Sequence, residues 1–358
     1  MNAATRFFWA SLVVGLATLP SVAWPCGAGF GDSVALQPNQ RVFISYMEGV
    51  ETYVFNPAFC GASRDFGLIL PVPSGLVADP ALMPAELLSE LAAYTAPTEV
   101  KECMSSGTGC GASAGDSTKG GINLQSQEFD AGVNVVDSGQ VGLLDWTLLR
   151  ADSTAAFTDW LDANSYPYQA EHQALFTHYV INGWYFVAFK VHVEAAQADP
   201  QAQLCGHLGP VAVTFASSAP VVPSRIAAAN AVAAEGDIWR ITLVAASQQQ
   251  LVTSTDYNAT LYFAATVTEA VRTAYPTLGA LAAAGTRLTT LDLQFPWDRL
   301  VQSDMQFAPD PNPVDYRATV VVYEECGCQA ASASLVQLCV WLTGVAVLLG
   351  WRRRYTSR

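Results

Sequence analysis

Two apolar runs, one at each end of the chain and each bordered by arginine, decide how much of it is left to fold. Residues 7–19 are apolar, follow Arg6 and lead into Pro20, Ser21, Val22 and Ala23. One positive charge, a short apolar stretch and small residues three and one positions before a break make a secretory signal peptide over residues 1–23, with cleavage expected between Ala23 and Trp24. The run is too short to span a bilayer, which needs about 20 apolar helical residues. Pro25 stands directly before Cys26, where a lipoprotein signal would carry a small residue.

At the other end, residues 335–351 are apolar apart from Gln337 and Thr343, and Arg352, Arg353 and Arg354 follow at once. As a helix this run rises about 25 Å, slightly short of a hydrocarbon core of roughly 30 Å, and the small residues 330–334 complete the span. The arginines act as a stop-transfer signal and leave residues 352–358 as a basic cytoplasmic tail. Residues 24–325 are then expected to be exported and held at the membrane by the C-terminal helix. Just before that helix, in the juxtamembrane segment 326–334, lie Cys326, Gly327 and Cys328. A cysteine pair, a short apolar helix and an arginine cluster together resemble a myxosortase-type C-terminal sorting segment. The resemblance implies a sorting protease as partner and a cut near the cysteine, which would carry the new anchor. An ordinary single-pass anchor with two juxtamembrane cysteines is the alternative.

The ends also distort the overall charge. The chain has 17 basic and 31 acidic side chains, but 12 basic and all 31 acidic ones fall in residues 24–325, so the exported part carries −19. A polyanion such as nucleic acid would be repelled. With 51% hydrophobic and 13% charged residues the chain is not disordered.

Of the eight cysteines, Cys339 lies in the membrane run and seven face an oxidising compartment where disulfides persist. Seven is odd, so one stays unpaired, is modified or pairs between chains. Cys103 and Cys110 flank a short Gly/Ser stretch and are the simplest pair. Cys26 with Cys60 is the second expectation, which leaves Cys205 over if Cys326 and Cys328 serve the anchor. The absence of any C-x-x-C spacing argues against a zinc site, and no motif calls for a cofactor.

Between the ends, residues 103–121 are rich in Ser, Gly and Thr and divide the exported part into residues 24–102 and 122–325. Strands are expected over 41–55, around a Glu48-Gly49 turn, and over 66–70, 129–136, 141–149, 184–193, 211–215, 225–232, 238–246 and 317–323. Helices are expected after Pro84, after the Asp152-Ser153 cap, over 169–181 and over 259–274. Successive strands with separate helices predict an α+β fold with a largely antiparallel sheet and packed helices.

Several segments occur in a recognisable order: CGAGF at 26–30, FGLILPVPSG at 66–75, TAPT at 95–98, EFDAGVNVVDS at 128–138, FTDWLDANSYPY at 157–168, INGWYFVAFKV at 181–191 and PVAVTFASSAPVVPSRI at 210–226. This succession resembles the bacterial exported-protein family known as domain of unknown function 2330. The resemblance covers most of residues 24–247 and implies export, often with a C-terminal anchor, but no catalytic residue. The family often has a second cysteine close after the first; here Phe30 is followed by Gly31 and Asp32, so Cys26 has no near partner.

Motifs for chemistry are few. Residues 111–115 read G-A-S-A-G, the pattern of a hydrolase elbow, but sit in a Gly/Ser stretch with no strand before the serine. His172 and His178 are six residues apart and point to different sides of a helix. Lys190 and His192 share one strand face, and Asp304, Asp310 and Asp315 lie among stiffening prolines, without the spacing of a calcium loop. The reading that follows is an exported, membrane-tethered or surface-sorted bacterial protein of the cell envelope, with a non-enzymatic binding or structural role and an unknown ligand. The alternative is an exported hydrolase whose site is assembled from scattered His, Lys and Asp residues.

Overall fold

Alternation along the strands sends apolar side chains to both faces, and both faces are covered. The computed structural model describes residues 28–30, 41–56, 58–62, 67–103, 132–166, 168, 170–191, 203–207, 209–230, 238–252, 258–294 and 303–324. Its first strands are β1 (Ala28–Phe30), β2 (Arg41–Met47), β3 (Val50–Phe55), β4 (Ala58–Ala62), β5 (Gly67–Val72) and β6 (Leu76–Leu82), followed by helix α1 (Glu86–Tyr94) and β7 (Thr98–Cys103). Next come β8 (Val133–Val141), β9 (Leu144–Ala151), α2 (Thr154–Ala163), α3 (Gln173–Ile181), β10 (Tyr185–Val191), β11 (Gln203–His207), β12 (Val211–Ala216) and β13 (Val221–Val222). The remainder is β14 (Ile238–Ala245), β15 (Gln249–Leu251), β16 (Asn258–Thr266), α4 (Glu269–Ala274), α5 (Pro276–Leu281), β17 (Arg287–Gln294), β18 (Met305–Pro309), β19 (Tyr316–Arg317) and β20 (Thr319–Glu324).

The described residues of 1–96 and 120–318 form one compact unit, and those of 97–119 and 319–358 a second. The second unit contains β7 and β20, paired in parallel from Thr98 opposite Thr319 to Cys103 opposite Glu324. The first contains two main sheets, ordered β1-β5-β10-β9-β8 and β19-β16-β17-β14-β2-β3-β12-β6. Their pairings are antiparallel except β2 with β14, which runs parallel from Arg41 opposite Arg240 to Ser45 opposite Val244. Val42, Ile44, Tyr53, Phe55, Trp239 and Ile241 from the large sheet pack with Leu68, Leu70, Trp146, Val187 and Phe189 from the small one in a shared core. The outward residues of the small sheet, Ile69, Leu149, Phe186 and Ala188, pack under α2 and α3. Those of the large sheet, Phe43, Val54, Val244, Phe263 and Leu288, meet α1 and α5. The unit is therefore four layers deep: helices, five strands, eight strands, helices.

This matches the expected class of mostly antiparallel sheet with packed helices. The Glu48-Gly49 turn forms with φ of 51° and 82°, the left-handed pair that a two-residue hairpin requires. Ser153 caps α2 by accepting a bond from the Ala156 N–H at 3.1 Å.

Two expected elements are corrected. Residues 259–274 are not one helix: β16 takes Asn258–Thr266, and the following helix is only Glu269–Ala274. The alanines favour a helix by tenths of a kcal/mol each, but this segment pairs with β17 along its length and with β19 at Phe263 and Ala264, and sheet context prevails. The strand expected over 225–232 does not form over its described residues, since Ser224–Asn230 coil as a 3-10 helix. There the N–H groups of Arg225 and Ile226 bond to side chains of Asp304 and Tyr179, which removes the donors a ladder would use.

A small ribbon pairs β4 with β11, placing Ala58 opposite His207, Cys60 opposite Cys205 and Ala62 opposite Gln203. Another small sheet has the order β13-β18-β15. No helix among the described residues is long and apolar enough to cross a membrane. Residues 335–351 and the signal segment lie outside those residues.

Candidate functional site

The most concentrated polar chemistry lies where α3 meets the 3-10 helix and β18. Pairing of Val222 with Met305 brings the residues just before β18 beside Ser224 and Arg225. The Ser224 hydroxyl accepts the Met305 N–H at 3.1 Å, and Asp304 is buried. Asp304 Oδ1 accepts from the Tyr179 hydroxyl at 2.7 Å and from the Arg225 N–H at 2.9 Å. The Tyr179 oxygen in turn accepts from the Ile226 N–H at 3.1 Å. Burial, reinforced by the Asp304 carboxylate, holds the Tyr179 phenol well above its ordinary pKa.

His178 borders this junction with its side chain 29% exposed, and its Nε2 faces Asp304 Oδ2 at 3.6 Å. Arg225 Nη1 lies 2.8 Å from His178 Nδ1. A guanidinium can only donate, so Nδ1 accepts and the ring proton sits on Nε2, toward the carboxylate. Nδ1 is thus taken by Arg225, while Nε2–H faces Asp304 from beyond hydrogen-bond distance. A general base accepts a proton through its unprotonated nitrogen, and in this histidine that nitrogen is already occupied by Arg225.

A second cluster lines an open hollow of about 470 Å³ bordered by Gln248, Thr266, Arg287, Pro313 and Asp315. Arg287 donates to Asp315 Oδ1 at 2.5 Å, to Thr266 Oγ1 at 3.2 Å and to Gln248 Oε1 at 3.1 Å, and also to the Val314 carbonyl. Buried Gln248 donates to Asp310 at 2.9 Å and accepts the Val314 N–H at 3.0 Å. Together Gln248 and Arg287 hold the proline-rich loop that follows β18.

The two faces of the large sheet carry charge differently. Outward, Arg240 grips Asp292 through two 2.7 Å bonds and lies 3.5 Å from the Tyr262 ring centroid. Burial pulls the Arg240 pKa down, but Asp292 and Tyr262 outweigh it and the net shift is upward. Inward, fully buried Glu51 accepts the Val221 N–H at 2.9 Å through Oε2. Its Oε1 has no hydrogen-bond partner among the described residues. Burial pushes the Glu51 carboxyl well above the usual range, against the pull of that N–H.

The residues singled out in the sequence are scattered. Asp304 belongs to the Tyr179 junction, Asp310 to Gln248 and Asp315 to Arg287. Lys190 donates to the Asn164 carbonyl and sits 4.6 Å from the Tyr166 ring centroid, and its partial burial lowers its pKa. His172 precedes α3 in a short 3-10 turn. Cys103 ends β7 and Cys60 lies in β4. Ala23, Trp24, Cys26, Cys110, residues 111–115, His192, Cys326, Cys328, Arg352, Arg353 and Arg354 lie outside the described residues. Among the described residues no three or more His, Cys, Asp or Glu side chains gather as a metal site. Tyr179, Arg225, Gln248, Glu51 and Arg287 carry no sequence motif. Their partners are 125, 79, 62, 170 and 28 positions away, so spacing holds no signal for them.

Against known proteins, a family model described as "Uncharacterized protein conserved in bacteria (DUF2330)" matches residues 20–308. No curated protein matches the chain, and no solved structure does.

Proposed function

Because the chain belongs to the DUF2330 family of uncharacterized bacterial proteins, we propose that it is an exported cell-envelope protein, tethered or sorted through its C-terminal segment, with a binding or structural role rather than a catalytic one. The apolar run ahead of Ala23 and the apolar tail ending in Arg352, Arg353 and Arg354 support export and tethering. The observation that carries the non-catalytic reading is the occupation of His178 Nδ1, its accepting nitrogen, by Arg225. The groups that resemble catalytic apparatus hold a helix to a strand. The same pattern recurs at Arg287, whose donors reach the loop they fasten.

Fractionation and mass spectrometry of the native protein test the first part. The expected product starts at Trp24 and is found in the envelope fraction; a cytosolic product retaining the apolar run overturns export. An intact Arg358 on the mature protein rules out sorting and leaves the simple anchor. For the second part, the purified full chain is treated with hydrolase-directed covalent probes. Saturable labelling that is lost in His178→Asn while the thermal midpoint is retained would overturn the non-catalytic reading. The expected result is no labelling and a lowered midpoint.

A further inference from the structure

Two of the chain's passages between the main sheets run side by side and are paired with each other. After β3 the chain runs through β4 to β5, and after β10 it returns through β11 to β12. β3 pairs with β12, β4 with β11 and β5 with β10, all antiparallel. One long ribbon therefore begins in the large sheet and ends in the small one. Among the described residues its middle section is a sheet of two strands, which is marginal in water unless something else ties it.

In that section Cys60 stands directly opposite Cys205. Opposed residues of an antiparallel pair share one face and have Cα atoms about 4.5 or 5.5 Å apart, according to whether they are hydrogen-bonded. A disulfide accepts Cα separations of roughly 4.4–6.8 Å. Either kind of opposed pair falls inside that range.

We propose that Cys60 and Cys205 form a disulfide that clips the two passages together. The bond gives Cys60 a partner other than Cys26 and takes up the cysteine left over by the expected pairs. It forms by exchange with an oxidised dithiol protein or glutathione disulfide. The Cys60 thiolate attacks the donor disulfide to give a mixed disulfide, and the Cys205 thiolate displaces the remaining donor sulfur. Two electrons and two hydrogens end on the donor, which leaves as free thiols. Only the supply of that oxidant in the cell rests on the export reading.

Tryptic cleavage isolates the two sites, because residues 42–64 contain Cys60 alone and residues 191–225 contain Cys205 alone. An alkylated, unreduced digest of the full chain from the envelope fraction should contain these peptides joined, and reduction should separate them. Reduced protein treated with oxidised glutathione should recover the same linkage within one chain. Reduction should lower the thermal midpoint by about 5–10 °C, given the long loop closed. Cys60→Ser and Cys205→Ser should each remove the same share of that drop, and the double variant no more. Peptide 42–64 joined to a peptide carrying Cys26 overturns the pairing, as do two alkylated thiols after glutathione treatment. Protein isolated with free thiols that closes this pair with glutathione keeps the pairing and counts against export.

Discussion

Glu51 and Asp292 are carboxylates on opposite faces of the same eight-stranded sheet, and they meet opposite fates. Asp292 faces out, keeps some water contact, and is gripped twice by Arg240. Glu51 faces in, is fully buried, and has one backbone N–H for company. An ion survives where a counter-ion and water share its solvation; in a dry core without a partner ion a carboxyl does better neutral. The face a residue occupies therefore decides whether it counts as a charge. The −19 read from composition includes Glu51, which the fold drives toward its neutral form.

The strongest way to break this contrast is to empty the inward face. Trp239→Ala should cost about 3–5 kcal/mol, since Trp239 is fully buried between the sheets, and urea unfolding reads the loss directly. Glu51→Gln sharpens the contrast through pH. The unfolded glutamate loses its proton near pH 4.3, while the folded carboxyl keeps it to higher pH. Between those two values the unfolded chain binds fewer protons, so wild-type stability falls as pH rises, by at most about 1.4 kcal/mol per pH unit. Glu51→Gln should lack this fall and gain about 1–3 kcal/mol relative to wild type between pH 5 and pH 8. Parallel stability curves for the two proteins would contradict the neutral form. On the outward face Arg240→Met should cost about 1 kcal/mol, because Asp292 can turn to water, and the loss should shrink in high salt. The smallest effect belongs to Thr52→Val, which removes a 3.2 Å bond to Thr214 and should shift stability by about 0.5 kcal/mol in a chemical melt.

Much of the layered architecture is legible where local chemistry and tertiary context agree. Glu48 and Gly49 announce a hairpin, Ser153 announces a helix start, and the outward Phe186 and Ala188 announce a covered face, which α2 supplies by stacking Phe157 on Phe186 at 4.0 Å between centroids. Legibility fails where long-range partners decide. Residues 258–266 look helical until their two strand neighbours are in place. The apolar residues after Arg225 look extended until Asp304 and Tyr179 take their N–H groups. The alternation of Leu291 and Leu293 about Asp292 carries a strand signal for β17. No local signal marks the Tyr179–Asp304 junction, since register 125 residues apart creates it.

The parallel seam of β2 with β14 has a consequence in time. Arg41 waits for Arg240, so a chain made from its N-terminus must produce about 200 more residues, on the order of 10–40 s of synthesis, before one edge of β2 has its mate. Throughout that interval a strand with buried Val42, Phe43 and Ile44 presents an open edge to whatever else is nearby. Until the seam closes, that edge is a template on which a second copy's strand can pair.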